Sequence, residues 1–340
     1  MKGLLMGLGI IGGILLGLFP KIQFPKPVWW KVGLILFLFI DLILIFLPNT
    51  VANIPYANYM GKLGVADDFN VKIPKSSIEQ IDGNNIIIKG MDYPLVASAE
   101  NTNKLSENKK ATIANVVFNS ERKAFELKKI SANIIPLEYP YIVELKEKVR
   151  ILLLHVPLAW NAVVAYLLSM IFAIFYLRKE DPFYDTLAVS SAGIGVLYTI
   201  LATITGMIWA KFNWGSFWNW DPRETSIFLL LIIYFAYFAL RSAIDKPETK
   251  ARLSAVYSII AFISVPFLVF IMPRITTGLH PGAKGEGTSG PVVSSGGGMM
   301  NFDLMITFSI SMFCFSLLFF WILNLKIRSD LIANKLIENK

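Results

Sequence analysis

The chain contains only two imidazoles, His155 and His280, and a single thiol, Cys314. Metal chemistry built on imidazole must therefore use one or both histidines. With one cysteine, a CxxC redox pair, an internal disulfide and a thiolate metal cluster are all excluded. A second concentration of specialised residues runs from Trp209 to Thr225, WAKFNWGSFWNWDPRET, and holds four of the eight tryptophans. Indole has an apolar ring and one N–H, so an interfacial belt at a membrane boundary is one reading. A belt spreads its aromatics over many helix ends, whereas these crowd one loop. The other reading is a flat apolar shelf built by Trp214, Trp218 and Trp220, suited to a flat, mostly apolar ligand. The stretch ends in Asp221-Pro222-Arg223-Glu224, which places an N-cap, a proline at the first helical position and a glutamate three residues after the cap. Asp221 therefore reads as a helix cap rather than a catalytic acid, and no residue is assigned a catalytic role.

The elements that must position these residues are membrane helices. In 340 residues, 55% are apolar and 13% aromatic, with a mean hydropathy of +0.56. That is too apolar for an ordinary soluble protein. The net charge of +8 lacks the aromatic-interleaved basic face that nucleic acid requires, so the bilayer is the expected partner and nucleic acid is not. The fold class is an all-α multi-pass membrane helix bundle of about six to seven transmembrane helices, with an extracytoplasmic α+β or β-rich insert. Residues 1–47 carry N-terminal spans: a glycine-rich run at 3–19, either an uncleaved signal-like segment or a first span, and a stronger one at 29–47. Residues 48–148 are polar and lysine-rich, with alternating stretches at Asn85–Lys89 and Thr112–Phe118 that read as strands closed by turns. Within 149–325, spans are expected at 150–177, 186–209, 222–243, 253–272 and 301–325, and 326–340 form a tail. Ser191, Gly195, Thr199 and Thr203, spaced by four, form a small-residue stripe for close helix packing.

Orientation follows from basic residues in the short loops. Lys21, Lys26, Lys31, Arg178, Lys179, Arg241, Lys246, Lys250, Arg252, Lys326, Arg328, Lys335 and Lys340 fall on one side, against Lys211, Arg223, Arg274 and Lys284 on the other. The richer side, tail included, is expected to be cytoplasmic. Lys146, Lys148 and Arg150 pull the other way, but the long loop before them weakens the rule. Both histidines, the tryptophan loop and the insert then lie outside.

Trp214-Gly215-Ser216-Phe217-Trp218-Asn219-Trp220-Asp221 resembles the WWD signature, WGxxWxWD, of the haem-handling membrane proteins of cytochrome c assembly, CcmC, CcsA and CcmF. The resemblance extends to His155 in Leu-His-Val-Pro with Arg150 five residues earlier, and to His280 after the next-to-last span. It covers roughly residues 149–325, with 29–47 by position. It implies haem b as the bound group, His155 and His280 as axial iron ligands, and Trp214, Trp218, Trp220 and Asp221 as the motif around the ring. Arg150 and Arg223 are implied to hold its carboxylates, with Lys211, Arg274 and Lys284 as further nearby cations. The implied partners are haem, a haem chaperone or apocytochrome c, and ABC-type membrane proteins of cytochrome c maturation, at the bacterial inner (plasma) membrane. Asp-Pro-Arg-Glu-Thr is closer to CcsA, whereas overall size and His-Val-Pro are closer to CcmC, where the connection before His155 is short. The resemblance thus implies haem delivery at the outer face, with a CcsA-like cytochrome c synthase role as the alternative. An electron-transfer cytochrome or a general permease are further readings.

Overall fold

Apolar helices and one polar stretch divide the chain, and the computed structural model, which describes residues 2–46, 50–107, 111–131, 148–280 and 302–338, keeps that division. Lys146, Lys284 and Lys340 lie outside the described residues. In chain order come α1 (Lys2–Leu18), α2 (Val28–Phe46), α3 (Ile54–Leu63), β1 (Asp68–Pro74), β2 (Ile78–Asp82), β3 (Asn85–Ile88), β4 (Leu95–Val96), α4 (Ala99–Glu107), β5 (Ala111–Asn119) and β6 (Ala124–Ile130). They are followed by α5 (Val149–Lys179), α6 (Pro182–Trp214), α7 (Pro222–Ser242), α8 (Pro247–Pro266), α9 (Met272–Ile275) and α10 (Phe302–Glu338). A π-helical turn, Phe267–Ile271, joins α8 to α9. Two compact units result, one from residues 1–45 with 147–340 and the other from 46–146.

Among the described residues, six helices are long and apolar enough to cross a membrane: α2, α5, α6, α7, the continuous 247–275 helix and most of α10. Gly7–Leu18 is a shorter apolar helix. Several helices outrun the spans expected from hydropathy, because hydropathy stops at the first charge whereas a helix runs on until a cap or a breaker. α6 begins at its Asp181 cap and Pro182 and ends at Gly215, whose φ of +82° suits a residue without a Cβ. α10 continues through the expected tail because Asp330 accepts from Ser190 Oγ at 2.6 Å and Asn334 donates to Thr186 Oγ1 at 3.1 Å.

The α5–α6 pair forms the centre of the membrane unit. A Cβ on Gly195 would lie 2.5 Å from Tyr166 Cε1, and Thr199 Oγ1 is 2.8 Å from the Tyr166 hydroxyl. The small-residue stripe thus packs as its spacing predicts. Tyr166 stacks on Tyr234 of α7 at 3.6 Å between ring centroids. At one end of the unit Arg241 grips Asp185 with two bonds of 2.7 and 2.8 Å. At the other end Lys148 reaches Phe212 O at 2.6 Å. Large apolar side chains such as Phe228, Ile232, Phe235, Ile260 and Ile263 face outward, as helices in lipid require.

In the second unit the sheet runs β1-β5-β6-β4-β3-β2. Every pairing is antiparallel except β4 with β6. Strands β2 and β3 turn at Asp82-Gly83, where Gly83 takes φ +57°. Phe118, Phe125, Ile86 and Leu95 fill its core, so this unit is a small α+β fold with its own apolar interior.

Candidate functional site

His155 sits in the second turn of α5 and turns its ring toward α6. Its Nδ1 is 2.9 Å from Ala202 O and 3.1 Å from Thr205 Oγ1. A carbonyl can only accept, so Nδ1 is assigned the proton and Nε2 keeps its lone pair. Gly206 makes room for the ring, since a Cβ there would lie 3.0 Å from His155 Cε1.

His280 is placed by a different device. Its Nδ1 is 2.8 Å from Asp221 Oδ1, which also accepts from Arg223 N at 2.9 Å. Asp221 Oδ2 accepts from Leu279 N at 2.6 Å. One carboxylate therefore caps α7 and holds the loop that carries His280. Glu224 Oε2 completes the capping box by accepting from Asp221 N at 3.3 Å, and it also accepts from Asn219 N at 2.7 Å. Burial alone would raise the Asp221 carboxyl. The hydrogen bond from His280, its charge when it is protonated, and the N–H groups of Arg223 and Leu279 outweigh burial and hold it at about 2. Gly278 permits this closeness, because a Cβ there would lie 2.7 Å from Asp221 Oδ2.

The tryptophans divide their work. Trp214, at the end of α6, packs edge-on against the His280 ring at 4.7 Å between centroids. Trp218 meets Trp220 at 5.8 Å and Phe228 at 6.3 Å, both edge-on. Trp220 is 70% exposed and takes φ +55°. That left-handed backbone is strained for a bulky side chain; it turns the chain into the Asp221 cap and leaves the indole outside.

Of the expected cations, Arg223 comes to the histidines: it and His280 both lie within electrostatic reach of His155. The buried Arg223 Nε has no hydrogen-bond partner among the described residues. Arg274, which is exposed, interacts electrostatically with Arg223. Arg150 donates to Ile45 O at the end of α2. Lys211 donates to Gly215 O at 2.9 Å and lies over Phe217. Ala202, Thr205, Gly206 and Gly278 complete the site and were not legible in the sequence, because their role is to meet residues far along the chain.

Two anchored imidazoles, an aromatic loop and a half-buried arginine gather at one end of a helical bundle, and the six long apolar helices make this a multi-pass membrane protein. The chain belongs to the CcmC family, heme exporter protein C, whose family model matches residues 130–340. Heme exporter protein C of Bradyrhizobium diazoefficiens is 32% identical over 171 residues, covering 50% of this chain and 62% of the relative. That of Paracoccus denitrificans is 32% identical over 136 residues, covering 40% and 56%. That of Escherichia coli K12 is 31% identical over 134 residues, covering 39% and 54%. The chain thus spans less than two thirds of these curated relatives. The similarity runs to heme exporter protein C and does not favour the CcsA-like alternative.

Proposed function

We propose that this chain binds haem b between His155 and His280 at the extracytoplasmic face of the bacterial inner membrane, and presents it to a haem chaperone or apocytochrome c. ABC-type membrane proteins of cytochrome c maturation are the proposed co-workers. The observation that carries this reading is the way both rings are tethered. Each histidine spends Nδ1 on the protein, at Ala202 O and at Asp221 Oδ1, which leaves two Nε2 lone pairs at one end of the bundle. Haem supplies an iron with two axial positions, an apolar ring and two carboxylates. Nε2 of each histidine would take an axial position, Trp214 and Trp218 would cover ring surface, and Arg223 Nε, without a partner among the described residues, would bind a carboxylate. The names of the similar proteins support this reading.

The absorption spectrum of the detergent-purified chain tests it. His155→Ala and His280→Ala are each expected to change the iron spin state or lower haem occupancy, with partial recovery on adding imidazole. Trp218→Ala removes ring contact worth about 1–3 kcal/mol, so occupancy falls while the spectrum of the remaining haem stays the same. Unchanged spectra and haem content in the double histidine variant would rule the reading out.

A further inference from the structure

We propose that the two axial histidines are built unequal by Asp221, so that His280 is the stronger iron donor and His155 is the ligand released first at handover. This rests on the haem reading above. The asymmetry lies in what each Nδ1–H meets. His155 donates to a neutral backbone carbonyl, Ala202 O, with a hydroxyl alongside. His280 donates to a carboxylate that is 4% exposed and locked by two further N–H groups. A carboxylate partner pulls the Nδ1 proton and raises electron density at Nε2, which a carbonyl does far less. Asp221 is therefore a positioning residue acting through His280, and the motif aspartate need not touch the ligand itself.

The placement of the two residues points the same way. His155 stands inside a membrane-spanning helix, whereas His280 stands in the loop beyond α9. Outward displacement of a bound ring lengthens the bond to His155 and leaves the His280 bond intact. The iron–Nε2 bond to His155 breaks with its electron pair staying on the imidazole, and a nitrogen or oxygen donor of the acceptor protein takes the vacated position. The Asp221–Leu279 and Asp221–His280 bonds keep the outer ligand in place during that exchange.

The test uses the full chain loaded with ferrous haem and exposed to carbon monoxide, which displaces the weaker ligand. The vibrational spectrum of the wild-type adduct should coincide with that of His155→Gly, in which only His280 remains, and differ from that of His280→Gly. Without carbon monoxide, the iron–histidine stretch of His155→Gly should lie above that of His280→Gly. Adding Asp221→Asn to His155→Gly should lower it, and adding Asp221→Glu should restore part of the difference. Asp221→Asn should also weaken the preference for ferric over ferrous iron about tenfold, raising the midpoint potential by about 59 mV. A wild-type adduct matching His280→Gly, or equal stretches in the two glycine variants, overturns the proposal while leaving haem binding standing. A wild-type chain that binds no haem overturns both.

Discussion

Gly206 leaves His155 space that a Cβ would crowd, and Gly278 leaves space for the carboxylate behind His280. In Gly206→Ala the new Cβ would stand 3.0 Å from His155 Cε1, so the ring must shift by a few tenths of an ångström against Ala202 and Thr205. Haem occupancy, read as the haem-to-protein ratio, should fall severalfold with little change in helix content. Gly278→Ala should cost more, because the Cβ would meet Asp221 Oδ2 at 2.7 Å and three N–H groups hold that carboxylate still. A loss of about 1–3 kcal/mol in loop anchoring is expected, measured as lower occupancy and faster hydrogen exchange at Leu279. The chemistry of the site was legible where it depended on residue type: two imidazoles, an aromatic run and a capping box. It was not legible where it depended on pairing across the fold. Ala202 lies 47 positions from His155, and Asp221 lies 59 positions from His280, so the sequence marks Asp221 as a cap and, by resemblance, as part of the motif around the ring, but its hold on His280 depends on the loop folding back onto it.

At the scale of helices, apolar runs and caps in the sequence locate the spans, whereas the helix ends and the partner of α1 depend on contacts. The glycines of α1 lie along α10: a Cβ on Gly9 would lie 2.5 Å from Ser309 O, and one on Gly13 would lie 2.7 Å from Ser316 Cβ. Small residues at four-residue spacing let helices approach in lipid, where no hydrophobic force between helices replaces close packing. Gly13→Leu should separate the pair and lower the thermal midpoint in detergent, with haem spectra retained because the site uses other helices. Lys26 holds the far end of α1, donating to Gly17 O at 2.6 Å and Phe19 O at 2.9 Å while Trp30 Nε1 donates to Leu16 O at 3.0 Å. Lys26→Met removes the ammonium donor from Gly17 O and Phe19 O and should cost about 1–3 kcal/mol, seen as a lower midpoint. An unchanged midpoint in both variants would mean that α1 is not held by these contacts. Asp330 and Asn334 reach back to α6, which explains why α10 runs on where hydropathy ends.

For the whole molecule, two experiments address the face that carries the site and the role of the second unit. The thirteen-to-four imbalance of basic residues in the short loops predicts that the histidines face outward. Cysteines introduced at the exposed positions Ser106 and Ser216 should react with an impermeant thiol reagent from outside, and one at Ser329 should not; native Cys314 is buried and silent. Reversed labelling would put the site on the cytoplasmic face and end the proposed delivery outward. The insert contains no histidine or cysteine, and its apolar core is its own, while every residue assigned to haem belongs to the other unit. Replacing residues 52–140 by a short linker should therefore leave the haem spectrum and occupancy unchanged. If the insert docks the acceptor protein, the same deletion should slow haem transfer at least several-fold without altering binding. Transfer at the wild-type rate would make it an extracytoplasmic decoration of the kind loops tolerate, and loss of the haem spectrum would overturn the assignment of the haem residues to the membrane unit alone.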